Sequence, residues 1–300
     1  MDGLKITKAL VDSDLDGVVC AALLKLIFPD LTVRLTEASA LQSGKDLEFI
    51  DEHCVIADLS YVAGCGLYFD HHLSNDPGEK KIPGVWKPYN SAAEVIYEHY
   101  KDMYDLERFW DLIVELGRFD SGLTTLEELQ EMNDYLLMAF AVERQDKDFS
   151  IKLIDILSAI TWEQALEIPL VKIRLEKTRE NIKLYYDYLK RNTRIEEDIA
   201  IVDNRSFKGN MVHAFFIAAL YPQVNAIIMF KQVRDENRFT MFWNNFNTTG
   251  IKYDLLAVAK ELNPQHSGGH KGACGVTLPS SLTINEAIIK IKELLVKQRN

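Results

Sequence analysis

The chain has 300 residues, 47% of them hydrophobic, and a formal net charge of −11. This length and composition allow a sizeable core, in one large domain or in two of ordinary size. The acidic charge argues against binding of long nucleic acid, which requires a basic surface that neutralises phosphates. Four cysteines without Cys-x-x-Cys spacing indicate buried thiols. Because no apolar run could span a membrane and no secretory pattern opens the chain, we expect a cytoplasmic protein.

Charge is distributed unevenly along the chain. Residues 1–198 contain 22 basic and 38 acidic side chains, whereas residues 199–300 contain 12 basic and 7 acidic ones. An acidic part attracts cations and a basic part attracts anions, so the two together would suit a metal-bound phosphate. Solvated helix faces are the simpler alternative explanation.

An acidic turn connects the first predicted strand to the first predicted helix. It places three carboxylates at alternate positions, Asp12, Asp14 and Asp16, before Gly17. These carboxylates repel one another unless a cation lies among them, and oxygen ligands suit Mg²⁺, Mn²⁺ or Ca²⁺. An EF-hand loop is excluded because its twelfth position is Leu23 and a strand precedes it. Helix capping is the alternative interpretation.

Strands and helices are predicted to alternate through the first part of the chain. The predicted strands are 4–11, 31–36, 54–60 and a segment that ends at residue 70, and the predicted helices are 18–28, 41–50, 91–101 and 106–117. This alternation is typical of a parallel sheet with helices on both faces, where ligands bind beyond the carboxyl ends of the strands. Six candidate metal ligands follow such ends: Asp14, Asp16, Asp58, Asp70, His71 and His72. Asp120 is expected in a turn beyond a helix end.

The second part of the chain begins after a predicted connector helix, which spans about residues 162–194. Strands are predicted at 199–202, 224–233 and 239–243, and helices at 211–220, 253–262 and 284–296. A glycine-rich segment at 267–275 contains His270 and Lys271. Uncovered backbone amides beside a His and a Lys would suit an anion.

In their order and spacing, these motifs closely resemble those of the DHH phosphoesterases that carry the associated C-terminal domain. The resemblance covers nearly the whole chain. It implies an α/β protein with a metal-binding catalytic domain and connector helix over residues 1–190, and a smaller α/β substrate-binding domain over residues 199–300. The motifs that carry it are Asp14-x-Asp16-Gly17, Asp58, Asp70-His71-His72, Asp120-Ser121-Gly122 and Gly268-Gly269-His270-x-x-Ala273-x-Gly275.

The resemblance implies two divalent metal ions, with Mn²⁺ expected first and Mg²⁺ or Co²⁺ as substitutes. Such a metal pair activates water for attack on phosphorus. Asp58 would bridge the metals and act in catalysis, and Asp14 would bind one of them. The other metal would be held by Asp16, His71 and Asp120. Asp70 would orient its neighbours, His72 would face the scissile phosphate, and Asp12 is an optional ligand of the first metal.

On the substrate side, the resemblance implies that His270, with the amides of Gly268 and Gly269, binds a distant phosphate. Many relatives that act on small substrates also carry a Ser-x-Arg element on the preceding strand. That strand reads Phe-Thr-Met-Phe-Trp from residue 239 and lacks the arginine. Arg238, Lys271 or Asn244 would have to replace it.

The expected activity is removal of nucleotides from one end of short oligonucleotides, or hydrolysis of linear or cyclic dinucleotides. The expected partners are therefore small phosphorylated substrates or short single strands, without long duplexes or membranes, and a homodimer is left open. Two alternatives use the same residues. An exopolyphosphatase or inorganic pyrophosphatase would act on phosphoanhydrides, and a catalytically silent nucleotide sensor would bind without hydrolysis.

Overall fold

The computed structural model describes residues 5–207 and 214–299. The chain divides into two compact units, residues 1–179 and 180–300. The division lies inside a long helix, Pro169–Asn192. Among the described residues, no helix is both long and apolar enough to cross a membrane.

A five-stranded parallel sheet forms the centre of the first unit. Its strands are β1 (Lys8–Asp12), β2 (Thr32–Thr36), β3 (Cys54–Ala57), β4 (Leu67–Asp70) and β5 (Gly84–Trp86), in the order β2-β1-β3-β4-β5. Every residue of β3 is buried, as expected for a parallel strand that is covered on both faces. The parallel arrangement brings the carboxyl ends of all five strands to one edge.

Helices cover both faces of this sheet, as the alternating pattern predicts. The helix α1 (Leu15–Ile27) contacts β1 and β3. On the other face, Leu41 of α2 (Ala38–Gln42) lies in the cluster around Leu10, Ile56 and Tyr68. The remaining helices are α3 (Ala92–Tyr100), α4 (Trp110–Asp120), α5 (Leu126–Glu131), α6 (Asp134–Ala141), α7 (Lys147–Ala159), α8 (Trp162–Glu167) and α9 (Pro169–Asn192).

The second unit contains a mixed six-stranded sheet. Its strands are β6 (Thr193–Glu196), β7 (Ile199–Asp203), β8 (Ala226–Val233), β9 (Glu236–Trp243), β10 (Ser267–His270) and β11 (Ala273–Pro279), in the order β10-β11-β9-β8-β7-β6. Strands β7 and β8 run parallel, and the other neighbours run antiparallel. Both units therefore have the predicted α/β class.

Among the described residues, three helices accompany this second sheet: α10 (Ala214–Leu220), α11 (Leu255–Leu262) and α12 (Ile284–Lys297). The last two pack against one sheet face, where Ile288 and Leu295 join Ile228 and Met241 in a buried cluster. The helix predicted over 211–220 is present from residue 214, and its first three residues lie outside the described part of the chain.

The sequence patterns miss several short elements. Strand β5 has three residues, too few to show an alternating pattern. The helical periodicity of residues 127–142 does not reveal that this stretch forms two helices, α5 and α6, which are separated because Met132 adopts a left-handed φ of 51° and Asn133 caps α6. The glycine-rich segment forms a β-hairpin, β10 and β11, since strand pairing uses backbone groups that glycine also has.

Candidate active site

The predicted metal-binding residues of the first unit converge at the carboxyl edge of its sheet. Asp12 ends β1, Asp58 follows β3, and Asp70 ends β4. The structure places three ligand groups there, in each of which the ligand atoms lie within 4.8 Å of one another: Asp12, Asp14 and Asp58; Asp16, His71 and Asp120; and Asp58, Asp70, His71 and His72. Residues separated by up to 108 positions in the sequence thus meet at one place.

The turn after β1 is tight enough to require glycine. A Cβ atom on Gly17 would lie 2.0 Å from the backbone oxygen of Asp12, so no larger residue fits without moving the turn. Asp14 is the N-cap of α1, and its Oδ1 accepts a hydrogen bond from Gly17 N at 3.2 Å. The cap uses Oδ1 only, and Oδ2 takes no part in it.

Asp16 is fixed by the start of another helix. Its Oδ2 accepts a hydrogen bond from Ala92 N at 2.7 Å, and its Oδ1 accepts one from Ala93 N at 2.9 Å. These amides belong to the first turn of α3, where free N–H groups favour an anion. The helix that Ser91 caps therefore holds a buried carboxylate in place.

Asp58 is buried and adopts a left-handed backbone conformation, with φ of 59°. Its backbone N–H donates to Phe69 O at 3.0 Å, which connects the ends of β3 and β4. Such a φ is uncommon for residues other than glycine, although Asp and Asn tolerate it best. The neighbouring strand thus maintains a strained backbone that aims this carboxylate at the ligand groups.

Asp70 is fully buried and is surrounded by hydrogen-bond donors. Its Oδ2 accepts bonds from Tyr68 Oη at 2.8 Å and Asn75 Nδ2 at 2.7 Å, and its Oδ1 lies 2.9 Å from His72 Nδ1. Burial raises the pKa of Asp70, but the bonds from His72, Asn75 and Tyr68 outweigh burial and lower it overall. The partner carboxylate in turn raises the pKa of His72. This arrangement fits the orienting role expected of Asp70.

His71 is buried and its Nε2 atom faces carboxylates from three elements. The distances are 3.1 Å to Asp120 Oδ2, 3.6 Å to Asp58 Oδ1 and 3.9 Å to Asp16 Oδ2. No hydrogen bond to Nε2 forms within the described part of the chain. The opposite ring nitrogen, Nδ1, lies 3.2 Å from Tyr89 O, which fixes the ring.

Asp120 is the last residue of α4, and the expectation that it lies in a turn is wrong. Gly117 does not end the helix, because it serves close packing: a Cβ there would lie 2.9 Å from Asn90 Cβ. Gly122, with φ of 69°, provides the left-handed residue that follows the helix end. The extra helical turn carries Asp120 to His71.

Burial and mutual repulsion perturb the protonation of these groups. Burial, then the charge of Asp14, raises the pKa of Asp12 to about 6. Burial, and to a lesser extent the charge of Asp120, raises the pKa of Asp16 to about 7. Burial, and to a lesser extent the charge of Asp16, raises the pKa of Asp58 well above its usual value. Burial lowers the pKa of His71, but Asp120 and Asp16 outweigh burial and raise it to about 9.

These features fit divalent metal ions. Burial and mutual repulsion raise the pKa values of Asp16 and Asp58, so a cation among these carboxylates would be stabilising, and the buried Nε2 of His71, which faces three of them, would be a further ligand for it. The mixture of oxygen and imidazole ligands suits Mn²⁺ and related ions.

One charged residue of the site was not anticipated. Arg144 Nη2 lies 3.1 Å from Asp14 Oδ2, and its Nη1 lies 3.5 Å from Asp12 Oδ1. The arginine follows α6, and Arg174 fixes that turn through Nε to Ala141 O at 2.8 Å. No motif surrounds Arg144, so only the tertiary structure identifies it.

The substrate-binding candidates lie in the second unit. Gly268, Gly269, His270 and Lys271 are exposed along β10 and the hairpin turn. Strand pairing puts His270 opposite Ala273, and Ala273 opposite Phe242, so the imidazole shares a sheet face with Phe242. Arg238 lies on the same face, next to Glu236 at 3.3 Å.

Comparison with known proteins relies on structure. The sequence matches no protein-family model, and a search of curated proteins finds no match. The structure is similar to the pGpG-specific phosphodiesterase PggH from Vibrio cholerae, with a TM-score of 0.80 and 24% identity over 97% of this chain and 98% of that one.

Two further solved structures share the architecture. A DHH-domain member of the s1p family of ribosomal proteins has a TM-score of 0.63 and 15% identity, over 97% of this chain and 87% of that one. RecJ in complex with Mn²⁺ from Thermus thermophilus has a TM-score of 0.56 and 12% identity, over 98% of this chain and 52% of that one. The chain therefore has the DHH fold, and the family resemblance found in its motifs is confirmed at the level of the fold.

Proposed function

We propose that this protein is a divalent-metal-dependent phosphodiesterase that hydrolyses short oligonucleotides or linear or cyclic dinucleotides. The observation that carries the proposal is the set of three carboxylates, from Asp16, Asp58 and Asp120, that face the buried Nε2 of His71. This arrangement would suit a metal ion better than a structural core, because buried like charges destabilise a fold.

The metal ligands would divide into two sets. Asp14, with Asp12 beside it, would hold one ion, and Asp58 would belong to both sets. The other ion would be held by Asp16, His71 and Asp120. When bound, such ions activate water and neutralise the charge that develops on phosphorus. The ligands must be deprotonated to bind, so His71 gives up the proton that the carboxylates favour.

His72 would contact the reacting phosphate. Its side chain is 46% exposed, whereas that of His71 is 9% exposed, so His72 is the imidazole open to a ligand. Asp70 holds Nδ1 of His72 and favours its protonated form. A protonated imidazole held in this way would donate to a phosphate oxygen or to the leaving oxygen.

The substrate class is supported by the names of the structural neighbours. PggH is a pGpG-specific phosphodiesterase, and RecJ is an exonuclease that has been solved with manganese. Both names refer to diester substrates. In the second unit, His270 and the amides of Gly268 and Gly269 would bind a substrate phosphate that is not cleaved.

A substrate panel tests the proposal. Linear pGpG, a cyclic dinucleotide, a short oligonucleotide, short polyphosphate and pyrophosphate are incubated with Mn²⁺, and released mononucleotide or phosphate is measured. We expect mononucleotides from the dinucleotides or the oligonucleotide. Release from polyphosphate or pyrophosphate alone would indicate a phosphoanhydride hydrolase instead. Binding without turnover of any substrate would indicate a sensor.

The role of the second unit is tested separately. His270→Ala should raise KM for the dinucleotide about tenfold or more, as expected for loss of a charge-assisted contact, and leave kcat within about threefold. His266→Ala is a matched control, because this histidine lies one residue before β10. An unchanged KM in His270→Ala would contradict the assignment.

A further inference from the structure

A cleft lies in the second unit, on the sheet face opposite His270. Its volume is about 610 Å³, which is within the range of small-molecule sites. Phe230 forms part of its floor, and strand pairing places Phe230 opposite Asp203 and Phe239. Strand pairing aligns His270 with Ala273, Ala273 with Phe242, and Phe242 with Ile227. Ile227 lies three residues before Phe230 on β8. The side chains of His270 and Phe230 therefore lie on opposite faces of the sheet. We call this cleft the arginine cleft.

The charge of the arginine cleft favours an anion. Its lining residues include three arginines, Arg191, Arg194 and Arg205, and one acidic residue, Asp203. The excess of positive charge contrasts with the net charge of −11 of the whole chain. A local concentration of guanidinium groups in an acidic protein is typical of a site that binds phosphate or carboxylate.

Two of these arginines are held in place by acidic neighbours. Arg205 donates from Nε and Nη2 to Asp203, at 3.0 and 2.6 Å. Arg194 Nε lies 2.7 Å from Glu196 Oε1. Each pairing uses only part of the five N–H donors of a guanidinium and leaves others for a ligand. Fixed orientation reduces the entropy lost when a ligand binds.

The remaining lining groups suit a ligand with both polar and apolar parts. Phe230 and Ile201 form an apolar floor, and the Arg205 guanidinium lies 5.5 Å from the Phe230 ring centroid. Asn285, in the first turn of α12, adds an amide and the positive end of a helix. An inorganic ion would not fill this volume, whereas a nucleoside monophosphate would contact both floor and walls.

We propose that the arginine cleft binds a small phosphorylated ligand of about mononucleotide size, at a site separate from the metal-binding residues and from His270. The proposal stands whether or not the protein hydrolyses phosphodiesters. A mononucleotide bound here would be either a regulatory ligand or a retained product.

Equilibrium titration of the full chain with GMP, guanosine and inorganic phosphate tests this site. Arg194→Ala/Arg205→Ala should weaken GMP binding about tenfold or more, because two charge-assisted contacts are lost. Guanosine should bind more weakly than GMP, and phosphate alone should compete with GMP. Arg179→Ala is the control and should leave GMP binding unchanged, since Arg179 is an exposed arginine that also pairs with a nearby acid, Glu176, but does not line the cleft.

Ser280→Tyr provides an independent variant, because it places a large side chain on the cleft wall and retains both arginines. It should weaken GMP binding while the unfolding transition stays that of the wild type. GMP binding that is unchanged in both cleft variants would overturn the proposal. Loss of GMP binding in His270→Ala alone, or no saturable binding to the wild type, would overturn it as well.

Discussion

Arg144 Nη2 lies 3.1 Å from Asp14 Oδ2, although the two residues are 130 positions apart in the sequence. The same guanidinium reaches Asp12, so one arginine contacts two of the three carboxylates in the acidic turn. It is the nearest positive side chain to that ligand group among those described, and it is 43% exposed, which leaves it open to a substrate phosphate. If the proposed function holds, Arg144 would either compete with a metal or assist phosphate binding.

Arg144→Ala separates these two roles. We expect kcat/KM for the dinucleotide to fall about tenfold or more, because a charge-assisted contact to phosphate is lost. Metal affinity should stay equal or rise by about two- to fivefold, since the arginine repels a cation and its exposed ion pair is weak. Calorimetric titration with Mn²⁺ measures the metal affinity, and steady-state kinetics measure kcat/KM.

Arg144→Lys, which keeps the positive charge but lacks the planar guanidinium group, should recover part of the activity. A fall in metal affinity that parallels the loss of activity would contradict a role in phosphate binding.

Asp58→Asn should lower Mn²⁺ content and activity together. Asparagine tolerates the left-handed φ of 59° at this position, so the backbone should be retained. Activity should fall by more than about a hundredfold, since even the loss of a residue that only orients a ligand costs about 10- to 100-fold. Asp30→Asn is the control, because Asp30 is exposed and paired with Lys5. Full turnover in Asp58→Asn would remove this residue from the metal site.

The metal-free protein should lose stability as the pH rises. Burial and neighbouring carboxylates raise the folded-state pKa values of Asp12 to about 6 and of Asp16 to about 7, from 3.8. The contribution of these two carboxyl groups to the free energy of unfolding is fully present below pH 3.8 and is lost as the pH rises through about 6 for Asp12 and about 7 for Asp16. The raised pKa of His71 adds a loss between 6.5 and about 9. Each group contributes at most about 1.4 kcal/mol per pH unit in its window.

Urea denaturation at about pH 5.5, 7.0 and 8.5 measures this effect. With EDTA, the free energy of unfolding should decrease along this series, and Mn²⁺ should reverse the decrease because it binds the deprotonated ligands. Asp58→Asn removes one buried carboxylate and should show a smaller decrease. If the free energy of unfolding of the metal-free protein does not depend on pH, the carboxyl groups do not have the raised pKa values that their burial predicts.

The glycines of the β10–β11 hairpin should differ sharply in their tolerance of substitution. A Cβ on Gly272 would lie 2.4 Å from Trp243 Cε3, whereas a Cβ on Gly268 has no neighbour within 4 Å. Gly272→Ala should therefore destabilise the second unit by about 1–3 kcal/mol through overpacking. Gly268→Ala should have little effect on stability, and chemical denaturation compares the two. Equal effects of both substitutions would indicate that the hairpin is not packed on Trp243 as described.

Much of the fold follows from local sequence patterns. Fully apolar strands such as residues 54–57 identify the parallel sheet, because each residue must be buried whichever face it occupies. The apolar segment over residues 18–28 predicts the helix that the structure shows as Leu15–Ile27, α1. Elements that lack a periodic pattern, such as β5 and the glycine-rich β10, form through pairing with neighbouring strands and are not predictable locally.

The candidate site likewise combines features that the sequence predicts with features that it does not. The identities of Asp14, Asp16, Asp58, His71 and Asp120 follow from motifs and their order. The hydrogen bonds that aim them come from other parts of the chain, such as the amides of Ala92 and Ala93 on Asp16. Such long-range contacts carry no spacing rule, so the sequence identifies the candidate ligands but not how they are positioned.

The sequence by itself determined the α/β class, the family resemblance and the residue types that favour divalent metals, because strand periodicity and clustered carboxylates are local properties of the chain. The tertiary structure alone decided that α4 extends to Asp120, that Arg144 reaches Asp14, and that three arginines line one cleft of the second unit. These features depend on where distant segments pack, and packing is decided by the whole chain and not by any one segment.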